Sequence, residues 1–242
     1  EQSCIKYGCP DQARTEVVCP SGFWGYRHII EQPISRDKVK DGVNEMSLSI
    51  GTKGKNVNLI MGVSQKLTDY QTHLEEIKSL GKVDSILLKT KQEIGIELHR
   101  NDLQVVYFYC HGGREGSETW LGIGGKDEKL TPSDLFAWGV RWHSNHPLIF
   151  INGCHTVDAT PDDFIEFNSM LARCEAAGVI GTEISIPEIL ARYFAIGFFQ
   201  NLFEYKKVGV AIREQRLDML KIYNLLGLAY TPYCYADLEF IY

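Results

Sequence analysis

Two segments of the sequence carry reactive side chains directly after a run of apolar residues. The run 103–109 leads into His111, and the run 147–151 leads into Cys154. A cysteine attacks a carbonyl carbon as its thiolate, and a neighbouring imidazole that takes up the thiol proton supplies that form. A glycine follows the histidine and another precedes the cysteine, so a peptide carbonyl could approach backbone N–H groups closely. The two segments therefore predict a nucleophilic cysteine with an imidazole base.

Each of these residues also has a simpler interpretation. A lone buried cysteine usually packs as a small apolar side chain, and a lone histidine at a strand end is most often structural. Cys110-His111 and Cys154-His155 together would also supply the four ligands of a zinc site. Adjacent residues of an extended chain project to opposite sides, so each pair would have to kink to present both ligands. We therefore predict no metal here and expect Cys110 to face the core beside the base.

Strands and helices alternate along the chain from residue 57 onward. Short apolar runs predict buried strands, and longer runs with one apolar face predict helices. The order is typical of an α/β fold with a mostly parallel sheet and helices on both faces. Functional groups gather at the carboxyl ends of such strands, so we expect His111 and Cys154 to meet there. The predicted strands cover residues 57–63, 83–88, 103–109, 147–151, 178–182 and 228–235.

The first 56 residues have a different character. They contain Cys4, Cys9 and Cys19 together with three prolines and no clear periodicity. We interpret 1–56 as an irregular N-terminal segment that packs on one domain, residues 57–242. The three cysteines could hold a metal with a ligand such as His28, although none of them forms a tight Cys-x2-Cys pair; the alternative is unpaired surface thiols. Because the chain begins with Glu rather than Met, we expect a processed chain or a unit excised from a larger protein.

Composition excludes several classes of protein. Of the 242 residues, 44% are hydrophobic and 23% are charged, which excludes a disordered chain and a coiled coil. The net charge of −6 argues against direct binding of nucleic acid, since duplex-binding proteins are normally basic. No apolar run approaches the roughly 18 residues of a spanning helix, so we expect no membrane contact. Seven cysteines, an odd number, favour reduced thiols and a cytoplasmic protein.

The two reactive segments resemble a known group of enzymes. A strand followed by His-Gly, and 43 residues later a strand followed by Gly-Cys, is similar to the caspase-like clan of cysteine peptidases, which includes caspases and separase. Within that clan the chain is most similar to the CHAT family. Three further segments resemble the opening, middle and closing parts of CHAT domains, so the likeness extends from about residue 17 to 240; these segments are 19–31, 177–182 and 228–238.

The resemblance implies a three-layer αβα sandwich and a cysteine endopeptidase that uses no cofactor. His111 would be the general base and Cys154 the nucleophile. The backbone N–H groups of Gly112 and Cys154 would bind the oxyanion. A protein substrate would lie as an extended strand beside the sheet and be recognised through its P1 side chain.

The resemblance also implies where the P1 side chain binds. Relatives that cleave after Arg or Lys carry an acidic residue just after the Gly-Thr strand, and Glu188 matches that position, with Glu183 and Asp158 as further candidates. Ile184 stands where the family usually has Trp, and Pro187 where an acid or Thr is common. An alternative for Glu188 is purely structural, because acidic residues are favoured in the first turn of a helix.

CHAT domains often form one module of a larger bacterial protein. The resemblance therefore implies regulation by a partner module, such as helical repeats, a nucleotide sensor or an RNA-guided effector, and a role in bacterial defence or programmed cell death. The main alternative is a catalytically silent binding or scaffold domain with the same fold, although the presence of both His111 and Cys154 argues against it. An acyl- or disulfide-exchange enzyme is disfavoured, since no Cys-x-x-Cys pair is present.

Overall fold

Ten strands and seven α-helices alternate along the described parts of the chain. The structure is a computed structural model, and it describes residues 19–33, 48–116, 118–126, 128–154, 161–182 and 184–242. The strands are β1 (Ser49–Gly51), β2 (Val57–Val63), β3 (Val83–Leu88), β4 (Val105–Glu115), β5 (Glu118–Ile123), β6 (Glu128–Leu130), β7 (Leu148–Cys154), β8 (Gly178–Thr182), β9 (Tyr230–Tyr233) and β10 (Glu239–Ile241). The helices are α1 (Trp24–Arg27), α2 (Tyr70–Ser79), α3 (Lys91–Glu97), α4 (Pro132–Ala137), α5 (Pro161–Arg173), α6 (Glu188–Tyr205) and α7 (Val208–Lys221).

The central sheet has the strand order β3-β2-β4-β7-β8-β9. Its first five strands are parallel, and β9 closes the sheet by pairing antiparallel with β8. β4 and β7, which carry the two reactive segments, are therefore direct neighbours in the middle of the sheet. This arrangement confirms the predicted α/β class with a mostly parallel sheet.

Helices cover both faces of the sheet because its strands are apolar on both sides. Along β4, Val105, Tyr107 and Tyr109 face a core shared with α2, α6 and α7. The alternating residues Val106 and Cys110 face a second core shared with α3, α4 and α5. The fold is thus the predicted three-layer αβα sandwich. None of the helices in the described ranges is long and apolar enough to cross a membrane.

β4 continues further than its sequence predicts. The predicted strand stops at Tyr109, whereas the observed strand continues through His111 to Glu115. Beyond the point where β2 ends, β5 takes its place and pairs antiparallel with β4 from His111 to Glu115. This hairpin supplies the backbone partners that keep the glycine-rich segment extended, which a single-strand pattern does not show.

The described parts of the N-terminal segment contact the rest of the chain. β1 pairs parallel with β10, and α1 packs on α7, where Tyr26 is fully buried. The buried guanidinium of Arg216 donates to the carbonyl oxygens of Gly25, at 3.3 Å, and Gly227, also at 3.3 Å. Burial lowers the pKa of Arg216 to about 10, so the side chain stays charged at neutral pH.

Candidate active site

The structure brings the positions of His111 and Cys154 together. The two residues form a Cα pair in the parallel ladder of β4 and β7, and this pair is the last one between the two strands. Neighbouring strands lie roughly 4.8 Å apart. Positions paired in register also share one face of the sheet. His111 is half-buried, and for Cys154 the structure describes the backbone.

The backbone N–H of Gly112 faces the strand that carries Cys154. Ser64 donates its N–H to the carbonyl oxygen of Tyr109 at 3.0 Å, so the backbone polar groups of Tyr109 face β2. These groups alternate along a strand, and those of Cys110 and Gly112 therefore face β7. In a regular ladder the Gly112 N–H bonds the Cys154 carbonyl, and the Cys154 N–H bonds the Cys110 carbonyl. Both N–H groups are then occupied. They can bind an oxyanion only if these last two hydrogen bonds between β4 and β7 are broken.

Cys110 lies in the core, as the sequence predicts. Its side chain is fully buried in the core of α3, α4 and α5. His155 and the P1 candidates Asp158 and Glu183 fall outside the described residues. Within the described ranges no group of three or more His, Cys, Asp or Glu side chains is placed to hold a metal ion. Cys4 and Cys9 are also outside those ranges.

Glu188 begins α6, and its carboxylate caps a different helix. Its Oε1 accepts hydrogen bonds from the backbone N–H of Thr68 at 2.6 Å, the Thr68 hydroxyl at 3.1 Å and the backbone N–H of Asp69 at 3.3 Å. Those donors precede α2, whose first N–H groups lack partners within the helix. All three hydrogen bonds converge on Oε1. The second oxygen, Oε2, takes no part in this cap.

Glu188 also lines a cavity of about 580 Å³ at the carboxyl end of the sheet. The cavity lies between α2, α6 and the end of β4, and Tyr109, two residues before His111, forms part of its wall. Strand alternation places His111 on the same face as Tyr109. The charged lining residues are Asp69, Glu76, Glu188 and Arg192, and apolar residues of α6 form another wall: Ile189, Tyr193 and Ile196.

The cavity is acidic because its carboxylates outnumber its cations. Three carboxylates and one guanidinium give the lining a formal charge of −2. Arg192 is largely neutralised, since it forms a two-pronged ion pair with Glu76 and contacts Asp69 at 3.3 Å. The hydrogen bond from Arg192 lowers the pKa of Glu76, which keeps that carboxylate ionised. Asp69 and Glu188 are therefore the carboxylates best placed to receive a cation from outside.

Three of these charged residues were not predicted from the sequence. Asp69, Glu76 and Arg192 belong to no motif that the sequence predicts to form a site. Asp69 and Glu76 are seven residues apart and hence lie on the same side of α2. That spacing could have indicated a shared acidic surface. The ion pairs with Arg192, however, depend on the packing of α2 against α6, which the sequence pattern does not show.

Buried polar groups lie on the same face, below the strand ends. The His73 ring, fully buried on α2, has its Nε2 2.8 Å from the Tyr107 hydroxyl, and its Nδ1 is 3.9 Å from Glu76. Asn152 donates to the same hydroxyl at 2.8 Å. The Tyr107 hydroxyl, which accepts from Asn152, can donate its own proton to His73 Nε2. Burial lowers the pKa of His73 to about 4, which keeps the ring neutral and able to accept it.

Acid is expected to destabilise the fold through His73. The pKa of His73 is about 4 when folded and roughly 6.5 when unfolded, so the unfolded chain binds more protons between these values. Stability is then complete above pH 6.5 and falls by about 3 kcal/mol as the pH drops to 4. Urea unfolding of wild type and His73→Gln across this range measures the effect. The variant should show the shallower pH dependence, and His99→Gln, at an exposed ring, serves as the control.

Known proteins resemble this chain in sequence and in fold. The family model of the CHAT domain matches residues 31–228. A probable protease of Vitiosangium sp. (strain GDMCC 1.1324) is 35% identical over 249 residues, which cover 98% of this chain and 32% of that protein. The chain thus spans about a third of the length of this curated relative.

Two solved structures share the fold. One, described only as a protease, is 16% identical with a TM-score of 0.56, covering 78% of this chain and 49% of the other. The second is the Saccharomyces cerevisiae separase–securin complex, 14% identical with a TM-score of 0.54, covering 82% of this chain and 12% of the other. These likenesses concern the fold. The match of the family model to most of the sequence shows that the chain belongs to the CHAT domain family.

Proposed function

We propose that the chain is a cysteine endopeptidase with His111 and Cys154 as its catalytic dyad. The observation that carries the proposal is the in-register pairing of these two residues at the carboxyl end of the sheet. The relative named as a probable protease and the CHAT domain match support it. A thiol and an imidazole at adjacent strand ends are the pair that thiolate chemistry requires.

The proposed reaction proceeds through an acyl-enzyme. His111 takes the proton of the Cys154 thiol, and the thiolate sulfur forms a bond to the scissile carbonyl carbon. The resulting oxyanion accepts hydrogen bonds from the N–H groups of Gly112 and Cys154 once the last rung of the ladder has opened. The imidazolium then gives its proton to the leaving amine as the C–N bond breaks. Water, deprotonated by His111, hydrolyses the thioester and restores the thiol.

The proposal includes a preference for a basic P1 residue. The cavity, whose wall includes Tyr109 two residues before His111, carries a formal charge of −2 and offers the carboxylates of Glu188 and Asp69 to a guanidinium or ammonium group. The apolar wall of α6 suits the aliphatic stem of Arg or Lys, which packs along apolar surface while its charge is solvated or paired. Glu183 and Asp158 stay candidates for the same pocket.

Control by a partner module belongs to the same proposal. The curated relative is about three times as long as this chain, so the match to it leaves room for further modules. The kinds of module expected from the sequence are helical repeats, a nucleotide sensor or an RNA-guided effector. We propose that a protein with such a module acts in bacterial defence or programmed cell death, inside the cytoplasm.

A panel of peptides that differ only at P1 tests this function. The chain is incubated with peptides that carry Arg, Lys, citrulline, norleucine or Asp at P1, and cleavage is mapped by mass spectrometry. We expect cleavage after Arg and Lys, and a much lower rate after citrulline, which has the shape of Arg without its charge. Preferential cleavage after Asp contradicts the basic preference. Absence of cleavage of every peptide and of unfolded protein, together with alkylation of Cys154 by iodoacetamide no faster than that of a free thiol, favours the silent scaffold domain.

A further inference from the structure

Asn152 joins the nucleophile strand to three other elements. The residue is fully buried on β7, two positions before Cys154. Its Nδ2 donates to the Tyr107 hydroxyl and to the Ala191 carbonyl oxygen, and its Oδ1 accepts from the Tyr230 hydroxyl, each at 2.8 Å. An amide has two N–H donors, and both are used here. Rotating the amide group by 180° would place its oxygen against the Ala191 carbonyl oxygen, and two acceptors cannot form a hydrogen bond. The three partners therefore fix the orientation of the amide.

The partners of Asn152 lie on the elements that form the proposed site. Tyr107 is on β4, four residues before His111, and Ala191 is in the first turn of α6, three residues after Glu188. The backbone hydrogen bonds of the β4–β7 ladder already fix how the two strands are aligned along their length. No such ladder joins β7 to α6. The Asn152–Ala191 hydrogen bond therefore ties the nucleophile strand directly to the helix that carries the P1 carboxylate.

Tyr230 is the third hydrogen-bond partner of the Asn152 amide. Its ring stacks on Phe194 of α6, with ring centroids 3.5 Å apart and planes 3° from parallel. The position from which the Tyr230 hydroxyl approaches Asn152 is therefore fixed both by the β8–β9 ladder and by this contact with α6. Removing that hydroxyl leaves the stacked ring in place and deprives a buried carbonyl oxygen of its partner, which is costly in a buried site.

We propose that Asn152 is a positioning residue that sets the distance between Cys154 and the P1 carboxylate of Glu188. It acts through β7 and α6 and does not itself line the P1 cavity. The inference rests on the proposed peptidase function. A P1 side chain anchored at Glu188 presents its carbonyl to the thiolate only if the spacing is held, and displacement of about 1 Å costs up to roughly 100-fold in rate.

Two variants test the role, Asn152→Leu and Tyr230→Phe. For a peptide with Arg at P1, we expect kcat to fall about tenfold in the first and about threefold in the second, with KM within about twofold of wild type. The rate at which iodoacetamide alkylates Cys154 should stay unchanged, because the ladder still holds the dyad. A merely structural role would lower cleavage in proportion to the folded fraction, and iodoacetamide would then also alkylate the buried thiols of Cys110, Cys174 and Cys234.

Matched controls separate these effects from general loss of packing. Asn201→Leu removes another buried amide of α6, bonded only weakly to Gln215 at 3.4 Å. Tyr26→Phe removes a buried hydroxyl that has no hydrogen-bond partner among the described residues. Both should keep wild-type kcat. Should Asn152→Leu fail to fold by circular dichroism, Tyr230→Phe decides the question.

The outcomes distinguish this inference from the function on which it rests. If Cys154→Ala still cleaves, or if the wild-type chain cleaves no peptide and its Cys154 reacts with iodoacetamide no faster than a free thiol, the proposed function fails and the inference falls with it. If wild type cleaves through Cys154 but both folded variants keep kcat within about twofold, only the inference is overturned.

Discussion

Replacing Cys154 by alanine is expected to abolish peptide cleavage, with kcat reduced by at least about 10⁴-fold. The methyl group cannot attack the carbonyl carbon, and no second thiol replaces it in the described site. His111→Ala should reduce kcat by about 10²- to 10⁴-fold, the range typical of losing a general base. Initial rates on a peptide with Arg at P1 measure both effects. The two losses should not add in the double variant, since base and nucleophile act in one step.

Cys174→Ala is the matched control for the nucleophile. This thiol is fully buried, and burial raises its pKa to about 11, so it is a weak nucleophile at neutral pH. Its removal should leave kcat at the wild-type value. Iodoacetamide should likewise modify Cys154 well before Cys174. Cleavage that survives Cys154→Ala would refute the dyad, and full activity in His111→Ala would assign the base to another residue.

The position of His111 and Cys154 on neighbouring strand ends was predictable because it depends on local pattern and on topology. Each reactive residue follows an apolar run, and parallel strands place their carboxyl ends at one edge of the sheet. The sequence therefore predicts that His111 and Cys154 share that edge. The exact register, one residue directly opposite the other, comes from the observed ladder. The continuation of β4 past His111 was not predictable from the strand pattern, because it depends on pairing with β5.

The acidic cavity was less predictable, because its charges come from distant parts of the chain. Asp69 precedes α2, whereas Arg192 lies more than a hundred residues later on α6, yet the two form an ion pair. A carboxylate in a first helical turn is expected to interact with its own helix. Glu188 instead accepts the N–H groups of Thr68 and Asp69 at the start of α2. Only the packing of one helix against another reveals such a contact.

Removing the charge of Glu188 is expected to remove most of the preference for a basic P1 residue. Glu188→Gln keeps an oxygen where Oε1 accepts the Thr68 N–H, so α2 keeps its cap. A charge-assisted hydrogen bond is worth about 1.5–3 kcal/mol, which corresponds to a loss of roughly 10- to 100-fold in kcat/KM for a peptide with Arg at P1. The matching citrulline peptide should change by less than about threefold, because it carries no charge to pair.

Glu93→Gln controls for the capping role that Glu188 also has. The Glu93 carboxylate accepts the backbone N–H groups of Lys89 at 2.7 Å and Thr90 at 3.0 Å, at the start of α3 on the other face of the sheet. This variant should lower stability slightly and leave P1 selectivity unchanged. If Glu188→Gln lowers the rates of the Arg and citrulline peptides equally, Glu188 acts as a cap alone. Selectivity for a basic residue would then have to come from Asp69, because Glu76, the other carboxylate of the cavity, is held in the two-pronged ion pair with Arg192.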